Sequence, residues 1–186
     1  MIQAVPREKP CKHCGKTFLP ARLLQAVCGP VCASRKVKAD KANERAQVRE
    51  RKEKIKTKPD LIKEAQIEFN AYIRLRDRNH SCICCGKALS LDAVGGGYDA
   101  GHYRSTGSAP HLRFNEDNCH AQTKQCNRYG AGRAVDYRIG LIKRIGLERV
   151  EALESDNETP KWTHDDLRAI REKYKRMRKE LERASK

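Results

Sequence analysis

Two stretches of the chain hold side chains that could do chemistry. The first is Cys11-Lys-His-Cys14, followed after thirteen residues by Cys28-Gly-Pro-Val-Cys32. Zinc takes four soft or borderline ligands at tetrahedral corners. Two close pairs joined by a hairpin-length spacer supply them at small cost in chain entropy. Four thiolates close the coordination shell, so this site is expected to be structural, with His13 a bystander inside the first pair. Lys12, Lys16, Arg22, Arg35 and Lys36 flank it and make it a candidate nucleic-acid contact. The second stretch runs from Cys82 to Arg128. It contains Cys82-Ile-Cys84-Cys85-Gly86, then Asp99-Ala-Gly-His102-Tyr103, then Asn118-Cys119-His120 and Cys126-Asn127-Arg128. Phosphodiester hydrolysis needs a base to activate water, a cation to neutralise the leaving oxygen and donors for the remaining oxygens. His102, a cation site near Asp99 and Asn127, and Arg104 or Arg128 would fill those roles.

The elements around these residues can be read from periodicity. From 33 to 58 helix formers follow one another with almost no apolar face, which predicts a helix that is solvated or lies on a charged partner. Lys58-Pro59 should stop it, and Asp60 should cap a second helix whose stripe is Leu61, Ile62, Ala65, Phe69, Ile73 and Leu75. Gly95-Gly96-Gly97 marks a turn, and Tyr98 to Tyr103 a short strand. Residues 104–110 form a loop, and His111 to Phe114 reads as the second strand. Lys124 onward reads as helix, broken near Gly130-Ala131-Gly132 and resumed through Val135, Ile139, Leu141, Ile142 and Ile145. A short segment carries Leu147, Val150 and Leu153. Thr163 with Asp166 forms a capping pattern. Leu167, Ile170, Tyr174, Met177 and Leu181 then make a stripe for intramolecular packing or, alternatively, a homodimer.

Composition narrows the class. The 186 residues carry 40 Lys and Arg against 24 Asp and Glu, a net charge of +16, and charged residues make up 34%. An ordinary domain has about 25%. No run approaches the roughly 18 apolar residues of a membrane span, and the N-terminus lacks a signal-peptide pattern. A membrane or secreted protein is not expected. Nine cysteines in such a chain point to metal in a cytoplasmic protein. The partner of the positive charge is expected to be nucleic acid. Residues 33–58 hold eleven basic and four acidic side chains, whereas residues 80–130 hold five and four. Basic arms thus flank a nearly neutral centre, and Lys52, Lys54 and Lys56 are arm residues expected to grip DNA.

Knuckle, strand, His, loop, strand, Asn and a helix with Cys and Asn resemble the ββα-metal, or HNH, nuclease finger. More closely, DAGHYRSTGSAPHLRFNEDN followed by NCHAQTKQCNRYG resembles the NinG (Rap) family of lambdoid phage recombination proteins, across essentially the whole chain. The resemblance implies a structure-selective endonuclease acting on branched DNA, Holliday junctions and D-loops included, in the host bacterial cytoplasm, with recombination proteins as possible partners. Carried over by position, His102 is the general base, Asn118 ties down the loop behind it, and Asn127 binds the catalytic cation, Mg2+ or Mn2+. Cys82, Cys85 and Cys126 belong to a second structural zinc site. Two positions depart from the pattern. Gly101 stands where an acidic or His ligand is common, so Asp99 or His120 must supply that contact. Thr123 stands where a cysteine is expected, so Cys119 should complete the zinc site, with Cys84 or His120 as the alternative.

The resulting expectation is an α+β, mostly α-helical fold in four parts. These are an N-terminal four-cysteine zinc module (1–32), a basic arm with a packing helix (33–79), the HNH-like finger (80–130) and C-terminal helices (131–186). The competing reading is a non-catalytic, zinc-stapled DNA-binding mediator, favoured by Gly101 and Thr123. RNA binding is weaker because ten aromatic residues offer little for stacking on unpaired bases.

Overall fold

A computed structural model describes residues 7–90, 97–159 and 161–184. The chain forms two compact units, 1–56 and 57–186. The basic helix and the packing helix, grouped together in the sequence reading, fall in different units. Gly95 and Gly96 of the expected glycine turn lie outside the described residues. Among those residues no helix is long and apolar enough to cross a membrane.

The first unit is a hairpin and a helix. Strand β1 (Lys9–Pro10) pairs antiparallel with β2 (Thr17–Phe18), and α1 runs from Pro30 to Lys54. Pro30 occupies the first helical turn, where its missing N–H costs nothing. No residue of α1 is buried. Exposed pairs such as Lys36–Asp40 and Glu50–Lys54 support it, each adding about 0.3–0.5 kcal/mol.

Helix α1 ends before the Lys58-Pro59 stop. Pro59 instead lies in the first turn of α2 (Lys58–Arg76), whose N-cap is Thr57. Asp60 is the reciprocal partner in a capping box: it accepts from the Thr57 backbone N–H at 3.0 Å, while Thr57 Oγ1 accepts from Asp60 N–H at 3.5 Å. Proline is tolerated at a helix start, so the dipeptide opened a helix where the sequence reading closed one.

Phe69 and Ile73 of α2 pack with Tyr174 of α5 (His164–Ala184), joined by Ile170, Met177 and Leu181. The C-terminal stripe is therefore covered within the chain. Next to this pair lies a second antiparallel hairpin, β3 (Tyr98–His102) with β4 (Cys119–Thr123), in a register that sets His102 opposite Cys119. The expected second strand, His111 to Phe114, is instead a 3-10 turn over Pro110–Phe114. Pro110 cannot donate to a ladder, and Ser105 and Ser108 bond to each other in the turn that leads into it. The true partner, β4, carries no strand signal in the sequence because Cys119, His120, Ala121 and Gln122 are all buried. With both faces covered, the apolar–polar alternation that announces a strand is missing.

A π-helical turn (Gln125–Tyr129) follows β4, then α3 (Ala134–Ile145) and α4 (Leu147–Ser155). Tyr137, Leu141, Val150 and Leu153 close a core with Ile83, Ala109 and Leu112. Gly140 lets α3 lie against the backbone, since a Cβ there would sit 1.8 Å from the Ile83 carbonyl oxygen. The buried Tyr137 hydroxyl donates to Gly101 O at 2.8 Å and accepts from His120 N at 3.0 Å, fastening α3 to the hairpin. The protein is thus a mostly helical α+β fold with two small sheets.

Candidate metal centres and active site

The four N-terminal cysteines converge. The sulfurs of Cys11, Cys14, Cys28 and Cys32 all lie within 4.8 Å of one another. Cys14 and Cys28 are 3.8 Å apart, and Cys28 and Cys32 3.5 Å. Zn–S bonds of about 2.3 Å in a tetrahedron place sulfurs about 3.8 Å apart, close to these two separations, so the set could hold zinc.

The second cluster holds Cys82, Cys85 and Cys126. Its knuckle copies the first. Cys11-x-x-Cys14-Gly15-Lys16 and Cys82-x-x-Cys85-Gly86-Lys87 share one sequence pattern. In each, the first Cys N–H donates to the Lys carbonyl (2.9 and 2.8 Å) and the Gly N–H to the first Cys carbonyl (2.9 and 3.0 Å). Gly15 and Gly86 adopt φ of 73° and 68°, the left-handed region that only glycine enters freely. The repeat is visible in the sequence, and it marks the second knuckle independently of any family resemblance. A hydrogen bond from Cys84 and the backbone N–H groups of Cys85 and Thr123 pull the Cys82 thiol down to about 3 against its burial. A thiolate is the form that zinc takes.

Cys119 does not complete this set. It is buried among Phe69, Tyr72, Ile73 and Tyr174, with its sulfur 3.7 Å from His102 Nδ1. Burial pushes its thiol well above the ordinary range. Thr123 takes the place beside the sulfurs, its hydroxyl 3.7 Å from Cys82 Sγ. Cys84 accepts from Gln122 Nε2 at 2.8 Å. Three thiolates and one further position remain a donor set that zinc accepts.

Four of the expected catalytic residues lie on or beside β3, two of them in one cavity while Asp99 lines another. His102 and Asn127 line one cavity of about 400 Å³, together with Ser105, Thr106 and Gly132. His102 Nε2 lies 2.9 Å from the Arg113 carbonyl oxygen. A carbonyl only accepts, so Nε2 carries the proton and Nδ1 keeps the lone pair. Burial lowers the His102 pKa, and the hydrogen bond to Arg113 only partly offsets this. Asn118, fully buried, ties the segment after β3 to the 3-10 turn. Its Oδ1 accepts from Arg104 N at 2.8 Å, and Nδ2 donates to Arg104 O at 3.0 Å and Leu112 O at 3.2 Å. The last of these fixes the residue before the carbonyl that holds His102. Asp99 Oδ2 accepts from Asn127 Nδ2 at 3.2 Å and from Arg128 at 2.7 Å, while Oδ1 accepts from Arg128 at 3.1 Å. A carboxylate and a carboxamide side by side suit a hard cation such as Mg2+ or Mn2+.

Two other residues lie elsewhere. His120 does not line the cavity. It is buried against Tyr137, its Nδ1 has no partner, and burial drives its pKa down to about 3. Arg104, expected at phosphate, spends its guanidinium on the end of α4. It donates to the carbonyls of Leu153 at 2.8 Å and Asp156 at 2.5 Å, and to Asn157. Arg128 stays exposed beside Asp99. On α1, Lys54 pairs with Glu50, and beyond its end Lys56 pairs with Glu53. Lys52 is exposed.

A family model described as "Bacteriophage Lambda NinG protein" matches residues 3–184. The chain belongs to the NinG family. The NinG match spans both cysteine clusters and every cavity residue. Among relatives named "Protein ninG", that of Escherichia phage lambda is 38% identical over 201 residues, covering 97% of this chain and 96% of the relative. Those of Escherichia phage 933W and Salmonella phage P22 are 38% and 37% identical, each covering 96% of its own length. No solved structure matches this NinG chain.

Proposed function

We propose that this NinG protein is a metal-dependent DNA endonuclease whose hairpin, π-turn and second zinc site form an HNH-type finger. One observation carries the reading: His102, with Nε2 committed to a carbonyl, shares a cavity with Asn127, itself bonded to Asp99. Nδ1 of neutral His102 takes a proton from water, and the Arg113 carbonyl steadies the imidazolium that forms. The buried Cys119 thiol, 3.7 Å from Nδ1, must give way for that water to reach the ring. Asp99 and Asn127 would hold Mg2+ or Mn2+, which when bound supplies charge neutralisation at the leaving 3′ oxygen. Arg128 is placed to exchange Asp99 for a phosphate oxygen. Zinc bound by Cys82, Cys85 and Cys126 would hold the adjacent Asn127 in register. The substrate, branched recombination intermediates in the host cytoplasm, follows from the family resemblance, and the cations of α1 supply salt-sensitive grip on DNA arms.

The test is protein washed free of divalent cations other than zinc, resupplied with Mg2+ or Mn2+ and given labelled four-way junctions. Wild type should nick them, and His102→Ala should bind with near-normal affinity and leave them intact. Because burial lowers the His102 pKa, the acid limb of the rate profile should fall below about 6.5. Normal cutting by His102→Ala sinks the assignment. Two features favour the non-catalytic reading: Arg128 already holds both Asp99 oxygens, and Gly101 offers no ligand. Binding without nicks from wild type would decide for it.

A further inference from the structure

Among the described residues, the most exposed large apolar side chains belong to the N-terminal zinc module. Leu23 and Leu24 are 93% and 87% exposed, at the tip of the loop between β2 and Cys28. Single exposed leucines are ordinary, but a consecutive pair at a loop tip is not. Nor is the tip slack. Gln25 clasps it from both sides: Oε1 accepts from Ala21 N at 2.9 Å, Nε2 donates to Val27 O at 2.9 Å, and its backbone N–H closes the turn on Arg22 O at 3.2 Å. Lys12 N–H bonds Ala26 O at 3.0 Å, tying the loop to the first knuckle. Within this frame Leu24 has φ of 66°, the left-handed region that a leucine enters only at a cost. Strain of this kind persists where surrounding structure imposes it, and it gathers at functional sites. Here it turns two apolar side chains outward.

Charge identifies the occupant. Residues 1–56 hold fifteen basic and five acidic side chains, ten of the net sixteen positive charges of the whole chain. Arg22 directly precedes the pair. A protein interface has a core depleted of charge and a far larger apolar area. An apolar wedge of one or two side chains backed by cations is how proteins part stacked bases. At a branch point the terminal base pairs of each arm lack part of their stacking, so insertion there costs less than in continuous duplex.

We propose that Leu23 and Leu24 form a wedge that inserts at the branch point of DNA, making this zinc module the element that distinguishes branched from linear substrate. The proposal rests on the DNA-binding part of the function above and is independent of whether the central cavity cuts. It is tested by equilibrium binding, without Mg2+ or Mn2+, to a four-way junction and to linear duplex of the same arm sequence. Wild type is compared with Leu23→Ser/Leu24→Ser and Leu23→Met/Leu24→Met. Zinc content serves as the check on folding, which exposed positions should not disturb. The Ser pair should lose roughly tenfold or more in junction affinity while duplex affinity stays within about twofold. The Met pair should keep most of the preference. A 2-aminopurine beside the branch should brighten with wild type and not with the Ser pair. Equal loss on both DNAs, or no loss on either, overturns the wedge. So does leucine-dependent binding to phosphatidylserine vesicles with junction affinity unchanged, which would mark a membrane contact. Wild type that binds neither DNA removes the DNA reading as well, whereas wild type that binds junctions without cutting removes only the nuclease.

Discussion

Asn118 offers the sharpest test of how the hairpin supports His102, the proposed base. Its side chain makes three hydrogen bonds, to Arg104 N, Arg104 O and Leu112 O, and it has no exposed surface. Asn118→Ala strands Arg104 N and Arg104 O and leaves Leu112 O only the Asn115 N–H. Each buried unpaired group costs roughly 1–3 kcal/mol, and some water will enter the vacated space, so a total of roughly 3–5 kcal/mol is expected. Asn118→Asp fills the same volume with a different outcome. One oxygen still accepts from Arg104 N, but the other faces two carbonyl oxygens, of which that of Arg104 needs a donor. Only the protonated acid supplies one, so the native state pushes this carboxyl above the unfolded value of about 3.9. A raised folded pKa contributes stability that is present at low pH and lost as pH rises through that folded value. The deficit of Asn118→Asp against wild type should therefore be small near pH 4 and grow toward pH 8, whereas that of Asn118→Ala should change little. Urea unfolding of zinc-loaded protein at several pH values measures both, and taking differences from wild type cancels the native histidines. A deficit in Asn118→Asp that does not change with pH, or none at pH 8, would refute the clamp. Because Leu112 precedes the carbonyl that holds His102, both variants should lose cleavage well before they lose DNA affinity.

Zinc analysis should find two ions per chain. Cys126→Ser should lower that to one, and Cys119→Ala should leave it at two; a loss with Cys119→Ala would restore it to the ligand set. Gly140→Ala forces a Cβ to within 1.8 Å of Ile83 O, so α3 must lift from the knuckle at a cost of roughly 1–3 kcal/mol, read as a lower urea midpoint. Buried His120, with its pKa lowered to about 3, stabilises the fold above the unfolded value near 6.5. Stability should then fall by roughly 3 kcal/mol as pH drops from 6.5 to 4. His120→Phe should flatten that part of the curve, and an unchanged acid slope in the variant would show that burial does not set this titration.

Much of this architecture was legible because it is local. Ligand spacing announces a zinc knuckle, since two sulfurs three residues apart can meet one ion whatever the rest of the chain does. The stripes of α2 and α5 were readable because a helix with one buried face repeats its apolar residues at helical spacing. The β4 strand was not readable, because covering both faces erased its period. Nor did residue type distinguish Arg104 from Arg128. Both are arginines near the site, yet one caps α4 and the other faces solvent beside Asp99.

By itself the sequence determined two metal knuckles, the basic arm, the packing helices and the residue types available for hydrolysis. Tertiary structure alone decided which of those residues meet. The register of β4 across β3 sends Cys119 to His102, not to the metal cluster, and the π-turn carries Cys126 to the sulfurs and Asn127 to Asp99. The physical reason is the two-residue period of a strand. Shifting the pairing by one position turns every side chain to the opposite face, and nothing in the spacing of cysteines along the chain records which register packing will select.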